Sequence, residues 1–362
     1  MSLMLPFVPG RRLVDLINEL ELRLSGQAPG PGLSADLADA VPDASSYVFV
    51  LFDGLGNHQL DHAAARSLRA SARGIVAAPF PTTTTVSLAT ISTGRMPAEH
   101  GMIGHLMVLD GAVVNVLKWV TPAGAPFDHP TDAFLPGPNT WERLRAAGIE
   151  PITVQPAEFA QSPLTRAIYR GCRFEGVHGV EEAVEATAVL AREPGRLVFA
   201  YFNQVDFAAH VWGQVSAEYR AAIGLVDTAW AQLRARLKPG VVMVGSADHG
   251  HLDYGPGDKL LIRDPGFSEL TFYGDARMVF VRGDTGLIGD LAGQLGVSAH
   301  WVSDGDVLWP GDRHPELESR LPAAVLAAPE GKVILPKGFD KRLVGYHGGL
   351  AYQEVEVPLL VG

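Results

Sequence analysis

Short apolar runs alternate with longer segments of helical period along most of this chain. Leu13, Val14, Leu16, Ile17, Leu20 and Leu22 recur at the spacing of one helix face and predict a helix over 11–24. Residues 25–45, rich in Gly, Pro, Ala and Asp, read as a linker. Residues 47–52 are continuously apolar, as expected of a central strand covered on both faces. A helix at 58–70, a short strand from Val76 to Phe80 and a helix from about Thr85 to Ser92 follow. Weak alternation over 106–120 predicts a hairpin around Asp110-Gly111. Three helix-strand pairs come next, at 140–147 with 151–154, 179–192 with 197–203, and 216–237 with 241–246. This alternation predicts an α/β fold with a mainly parallel central sheet flanked by helices.

Residues 255–340 differ in texture. A strand at 278–282, a helix at 285–295, a strand at 298–302 and a turn at Asp304-Gly305 read as a small α/β insertion or cap. The expected organisation is an N-terminal helix and linker (1–45), a catalytic α/β core (46–254), the insertion (255–340) and a return to the core (341–362).

Composition narrows the chemistry. The 362 residues carry a net charge of −11, so nonspecific binding of a nucleic acid polymer is not expected. A phosphate-bearing ligand would need a local positive centre. The single cysteine, Cys172, excludes an intramolecular disulfide and a thiolate cluster. Any metal must therefore be held by Asp, His and hydroxyl or water oxygen. Met1 to Pro9 lacks the charged start and long apolar run of a secretory leader. No apolar stretch reaches the roughly 20 residues a membrane span needs. The expectation is a cytoplasmic protein without a membrane partner.

Acidic and histidine residues follow the apolar segments. Asp53 ends the 47–52 run, and Asp206 and His210 follow 197–203. Asp248-His249-Gly250 follows 241–246, and His347 lies within Gly345-Tyr346-His347-Gly348-Gly349. Burying an unpaired charge costs several kcal/mol or more, and ligands of open α/β sheets bind outside the carboxyl ends of the strands. Each residue has an ordinary reading: a helix N-cap for Asp206, a polar turn for Asp248-His249, a loop imidazole for His347. Taken together, three carboxylates and three imidazoles could hold two divalent metal ions. Phe80-Pro81-Thr82-Thr83-Thr84-Thr85 adds hydroxyls at a predicted helix N-terminus, where anions are favoured. A threonine there could simply cap the helix, but a hydroxyl beside a divalent metal becomes a nucleophile near neutral pH. His251 and Asp253 read as solvated loop residues in preference to partners behind the ligands.

The order Asp, Thr, Asp-x3-His, Asp-His, His resembles the alkaline phosphatase superfamily, above all its type I phosphodiesterase/nucleotide pyrophosphatase branch. Phe80 to Gly101, with Thr93-Gly94 and Pro97-x-x-His100-Gly101, looks like that branch's nucleophile segment. The resemblance runs from about residue 46 through the closing His-Gly-Gly-Leu and Glu-Val-Pro-Leu-Leu. It implies Thr84 as nucleophile, with Thr85 the choice if the register slips by one. It implies one metal on Asp53, Asp248, His249 and the Thr84 oxygen, and another on Asp206, His210 and His347. Zinc is the metal implied, with manganese the alternative. The implied activity is hydrolysis of a small phosphorylated substrate, such as a nucleotide or phosphodiester, by two displacements. Relatives usually place an Asn on a phosphoryl oxygen where Ser87 stands, so Ser87 is the expected substrate contact. Its shorter reach leaves diester against monoester preference open, and Arg95 lies too far along to supply a nearby cation. A phosphomonoesterase or phosphonate hydrolase on the same core is the alternative. A noncatalytic phospholigand-binding protein is the alternative of another class.

Overall fold

The computed structural model describes residues 8–303 and 305–362; Asp304 of the expected Asp304-Gly305 turn, and Met1 to Phe7 of the segment read for a leader, lie outside the described residues. The continuous apolar run becomes strand β1 (Ser46–Phe52), buried along its length. It occupies the middle of a seven-stranded sheet with β2 (Ala72–Ala77), β3 (Glu150–Pro156), β4 (Arg173–Val177), β5 (Arg196–Phe202), β6 (Val241–Ala247) and β7 (Glu356–Val361). The order is β2-β7-β6-β1-β5-β3-β4. β6, β1, β5, β3 and β4 run parallel, and β7 lies antiparallel between β6 and β2.

Helices cover both faces, as a parallel sheet requires. They include α1 (Leu13–Ser25), α2 (Thr84–Thr93), α3 (Thr140–Ala146), α4 (Val180–Leu190), α5 (Gln204–Trp212) and α6 (Ala217–Arg236). Phe49 packs on Phe199 at 5.6 Å between ring centres, and Trp230 of α6 meets Phe52 edge-on at 6.1 Å. The Trp230 indole N–H donates to Ser71 Oγ at 2.8 Å, so the large ring is buried without an unpaired donor. Gly245 makes room for it, since a Cβ there would lie 2.7 Å from the ring.

Two expectations change. The helix expected over 58–70 is a 3-10 turn (Asn57–Asp61) and a short helix (Arg66–Ser71). His62 breaks it with extended backbone (ψ 136°), and its Nδ1 accepts the Ala64 N–H at 3.1 Å. The strand expected over 76–80 begins and ends earlier, as β2; the chain then leaves the sheet toward Thr84.

Beyond β6 a second, antiparallel sheet forms from Thr271–Asp275, Met278–Arg282, Ser298–Trp301 and Ala324–Ala327. Helix α7 (Thr285–Leu295) packs Ile288 and Leu291 against Val279, Val281 and Leu326. Lys259–Leu261 pairs with Val333–Leu335, and Gly345–Tyr346 pairs with Leu252–Asp253, which brings the chain back to the main sheet beside His347. Among the described residues no helix is long and apolar enough to cross a membrane.

Candidate metal centre and nucleophile

Strand order explains why carboxylates distant in sequence meet. β5, β1 and β6 are neighbours, and Phe52 is level with Phe202 and Ala247. Neighbouring strands lie about 4.8 Å apart, so the residues that follow them emerge side by side. The Asp206 N–H donates to the Asp53 carbonyl at 3.0 Å, and the Gly54 N–H donates to Asp248 Oδ1 at 2.9 Å. Gly54 has φ of +73°, and a Cβ there would stand 2.9 Å from Asp206 Cα, so the turn needs glycine on both counts.

Two clusters result. Asp53, Asp248 and His249, all buried, form the first. His249 Nε2 lies 3.4 Å from Asp53 Oδ1 and 3.4 Å from Asp248 Oδ2. The Thr84 hydroxyl, at the start of α2, joins them at 3.4 Å from Asp53 Oδ1 and 3.2 Å from His249 Nε2. Asp206, His210, His251 and His347 form the second cluster. α5 sets Asp206 and His210 one turn apart, with 3.3 Å between Asp206 Oδ1 and His210 Nε2.

The donor sets fit divalent cations. His210 Nδ1 donates to the Gly345 carbonyl at 2.7 Å, and His347 Nδ1 donates to the Thr82 carbonyl at 2.8 Å. Each ring therefore turns an Nε2 lone pair inward, and the two Nε2 atoms stand 3.2 Å apart. Two lone pairs at that distance repel unless a cation or proton lies between them. Asp248 Oδ2 is buried without a hydrogen-bond partner, which a carboxylate oxygen tolerates poorly unless a cation takes it up. Burial, with Asp206 and Asp248 nearby, pushes the Asp53 carboxyl well up. Burial also works against ionised Asp206, but the surrounding imidazoles of His210, His251 and His347 outweigh it and hold its proton affinity low. Burial, with the neighbouring His249, His251 and His210, drives His347 well below the usual imidazole range.

The family model for type I phosphodiesterase/nucleotide pyrophosphatase matches residues 47–265. The chain belongs to this family. Among solved structures, its fold is similar to murine ectonucleotide pyrophosphatase/phosphodiesterase 5, with TM-score 0.66 and 17% identity over 86% of this chain and 87% of that one. An inactive threonine-to-alanine form of that murine protein in complex with AMP aligns with TM-score 0.64 and 17% identity, again over 86% and 87%. Phosphonoacetate hydrolase from Sinorhizobium meliloti 1021, in complex with phosphonoformate, aligns with TM-score 0.64 and 18% identity over 89% of this chain and 91% of that one. A search of curated proteins found no match. The fold is thus the mainly parallel, helix-flanked sheet that the element pattern predicts, in the alkaline phosphatase-like form that the resemblance implies.

Within this phosphodiesterase-family chain, several residues sit differently from their sequence reading. The Thr85 hydroxyl points away from the clusters and donates to the Gly104 carbonyl at 3.1 Å, which leaves Thr84 facing them. Ser87 is fully buried, and its hydroxyl donates to the Asp248 carbonyl at 2.7 Å. That bond braces the Asp248 turn from behind, and Ser87 is not among the residues lining the two cavities beside Thr84. His251 is not solvated: it is buried, and its Nε2 lies 2.7 Å from Asp206 Oδ1. Asp253 is exposed, as expected, and accepts the Gln214 N–H at 2.6 Å. Tyr201, inside β5, was hidden in an apolar run; its hydroxyl donates a short hydrogen bond to Asp53 Oδ2 and leaves Oδ1 facing Thr84. His100 of the Pro-x-x-His-Gly motif accepts the Met102 N–H at 3.1 Å and lies 3.0 Å from Thr90 Oγ1, remote from the clusters.

Thr84 opens onto two cavities. One, of about 490 Å³, is lined by His210 and His347, by His105 and Lys118, and by Asp275 and the 338–340 turn. The other, of about 250 Å³, is mainly apolar, with Leu88, Leu117, Phe159, Leu164 and Phe207 around Thr84 and Asp53.

Proposed function

We propose that this protein is a metal-dependent phosphoric ester hydrolase, a phosphodiesterase or nucleotide pyrophosphatase with Thr84 as nucleophile. The observation that carries the reading is the Thr84 hydroxyl at the edge of a buried Asp53-Asp248-His249 cluster, directly beside a second Asp-His cluster. Asp53, Asp248, His249 and the Thr84 oxygen would hold one divalent ion, and Asp206, His210 and His347 the other. Bound there, two such ions would supply the positive charge that eases ionisation of a hydroxyl and neutralises phosphoryl oxygens. Zinc suits these imidazole-rich oxygen-nitrogen sets, and manganese is the alternative.

The residues divide the work. Tyr201 holds Asp53, and His251 holds Asp206. The Thr84 oxygen attacks phosphorus, the Asp206-His210-His347 side faces the departing ester oxygen, and a phosphoryl or nucleotidyl group passes to Thr84. Water then cleaves that ester and restores the hydroxyl. The apolar recess beside Asp53 suits an organic ester group on the retained side. The family match and the AMP complex of the murine neighbour support a nucleotide-like substrate. The inactivity of that neighbour's threonine-to-alanine form supports a threonine nucleophile. The likeness to phosphonoacetate hydrolase supports a phosphonate hydrolase as the second reading.

The test is hydrolysis of a matched chromogenic diester and monoester by zinc-loaded protein, with Thr84→Ala beside it. Diester turnover should fall at least about a thousandfold in the variant, while metal content stays near normal. Wild-type turnover in Thr84→Ala would end the nucleophile assignment. Turnover confined to the monoester would move the protein to the phosphatase side.

A further inference from the structure

A buried ion pair behind the two clusters has no part in the chemistry proposed above. Arg277 occupies the tight turn between the second-sheet strands Thr271–Asp275 and Met278–Arg282, and Glu354 lies shortly before β7. Both side chains are buried, Glu354 completely. Arg277 Nε stands 3.4 Å from each oxygen of the Glu354 carboxylate. Charges taken out of water need both a partner and hydrogen bonds for their remaining atoms. Arg277 finds the latter at the Lys332 and Pro329 carbonyls, to which Nη1 donates at 2.6 and 3.3 Å. The guanidinium is thereby fixed to the chain that leads into Val333–Leu335.

Glu354 turns its acceptors toward the candidate ligands. Its Oε1 accepts the Gly349 N–H at 2.9 Å, two residues after His347, and its Oε2 accepts the Ala351 N–H at 3.2 Å. Its main-chain carbonyl accepts the Gly250 N–H at 3.0 Å, one residue after His249. One residue thus holds the turn that carries Asp248 and His249 and also the loop that carries His347, which belong to different clusters. The fit is close, since a Cβ on Gly349 would fall 2.5 Å from Glu354 Oε2. The hairpin that supplies Arg277 also places Asp275 and Ala276 in the wall of the cavity containing Thr84, His210 and His347.

We infer that Arg277 and Glu354 are positioning residues that set the spacing of the two clusters, so that a hairpin of the second sheet governs how tightly both metal ions are held. The inference rests on the metal reading in the proposed function. Glu354 acts through the turns it holds, because its carboxylate oxygens are already engaged by Gly349, Ala351 and Arg277. Arg277 acts through Glu354, fixing the carboxylate against the second sheet. Without the pair, the Asp248-His249 turn and the His347 loop shift independently, and the ligands no longer meet at one geometry.

The test compares wild type with Arg277→Met/Glu354→Met, which removes both charges together and so leaves no buried charge unpaired. Ile288→Ala is the control, because it weakens the second sheet through that sheet's own core. Zinc affinity is read by competition with a chromogenic chelator, and thermal midpoints are measured beside it. In the double variant zinc binding at both clusters should weaken at least about tenfold, while the control changes less than about twofold at whatever midpoint it has. Wild-type affinity in the double variant overturns the inference. Equal weakening in the control overturns it too, since the pair would then matter only for stability. If the double variant does not fold, Arg277→Lys takes its place, keeping the charge but losing the planar fork; weaker zinc binding upholds the inference and unchanged binding overturns it. If wild type binds neither zinc nor manganese, the metal reading of the proposed function fails first. Amide hydrogen exchange in the metal-free proteins then decides the positioning role. Faster exchange at Gly250 and Gly349 in the pair variant, and not in the control, upholds it, and unchanged exchange overturns it.

Discussion

At the scale of single residues, the site is a set of oriented atoms. Tyr201 occupies one oxygen of Asp53 and so fixes which oxygen faces Thr84. Partners of this kind behind a metal ligand are typically worth 10–100-fold in metal affinity. Tyr201→Phe should therefore weaken binding at the Asp53 cluster by roughly tenfold or more, read by competition with a chromogenic chelator; equal affinity would strip Tyr201 of that role. The carboxylates were legible in sequence because each ends an apolar run, where an acid needs a reason. Tyr201 was not, because a tyrosine within a strand reads as core. His251 was not, because the glycine before it and the exposed Asp253 after it give the segment the look of a solvated turn.

At the scale of elements, the parallel order β5-β1-β6 does most of the placing, and periodicity announced those strands. The pieces that were missed have weak patterns. Arg173–Val177 is an edge strand that buries only its last residue, and Thr271–Asp275 contains a glycine and ends on an acid. The turn after β6 depends on a close approach that no pattern reveals. The Gly250 N–H donates to the Glu354 carbonyl at 3.0 Å, and a Cβ on Gly250 would fall 1.9 Å from the Gln353 carbonyl oxygen. Gly250→Ala must push the Asp248-His249 turn away from that backbone. It should cost about 1–3 kcal/mol of stability and lower the metal content, seen by thermal unfolding together with elemental analysis. A variant with wild-type midpoint and metal content would show that the turn yields freely.

At the scale of the whole molecule, the segment that begins at Thr84 also seats the second sheet. Arg320 donates to the Gly101 carbonyl at 2.8 Å and sits over the Phe134 ring, directly beside buried His100. Burial, with His314 and Arg320 close by, lowers His100 to about 3. A depressed folded-state value means that the contribution to stability is complete above the unfolded value near 6.5. It is lost as pH falls through that value toward 3. The drop in unfolding midpoint between pH 7 and pH 4 should be smaller in His100→Gln than in wild type. An identical drop would place the acid sensitivity elsewhere. Ions bound only by the folded form also add stability by mass action. A chelator should thus lower the midpoint by several degrees, and zinc should restore it. A midpoint indifferent to chelation would remove metal from the account of the fold.

The strand β7 sets a schedule for this protein. It lies between β2, made early, and β6, made late, and most of the chain separates Glu356 from its partner Ala77. Until that strand arrives, β2 and β6 each present an unpaired edge, and an open edge is a template for pairing with other chains. Contacts so remote in sequence form slowly. A ribosome still synthesising the 255–340 segment therefore carries a sheet with a gap in it. The interval before β7 closes that gap is when the nascent chain is most exposed to aggregation.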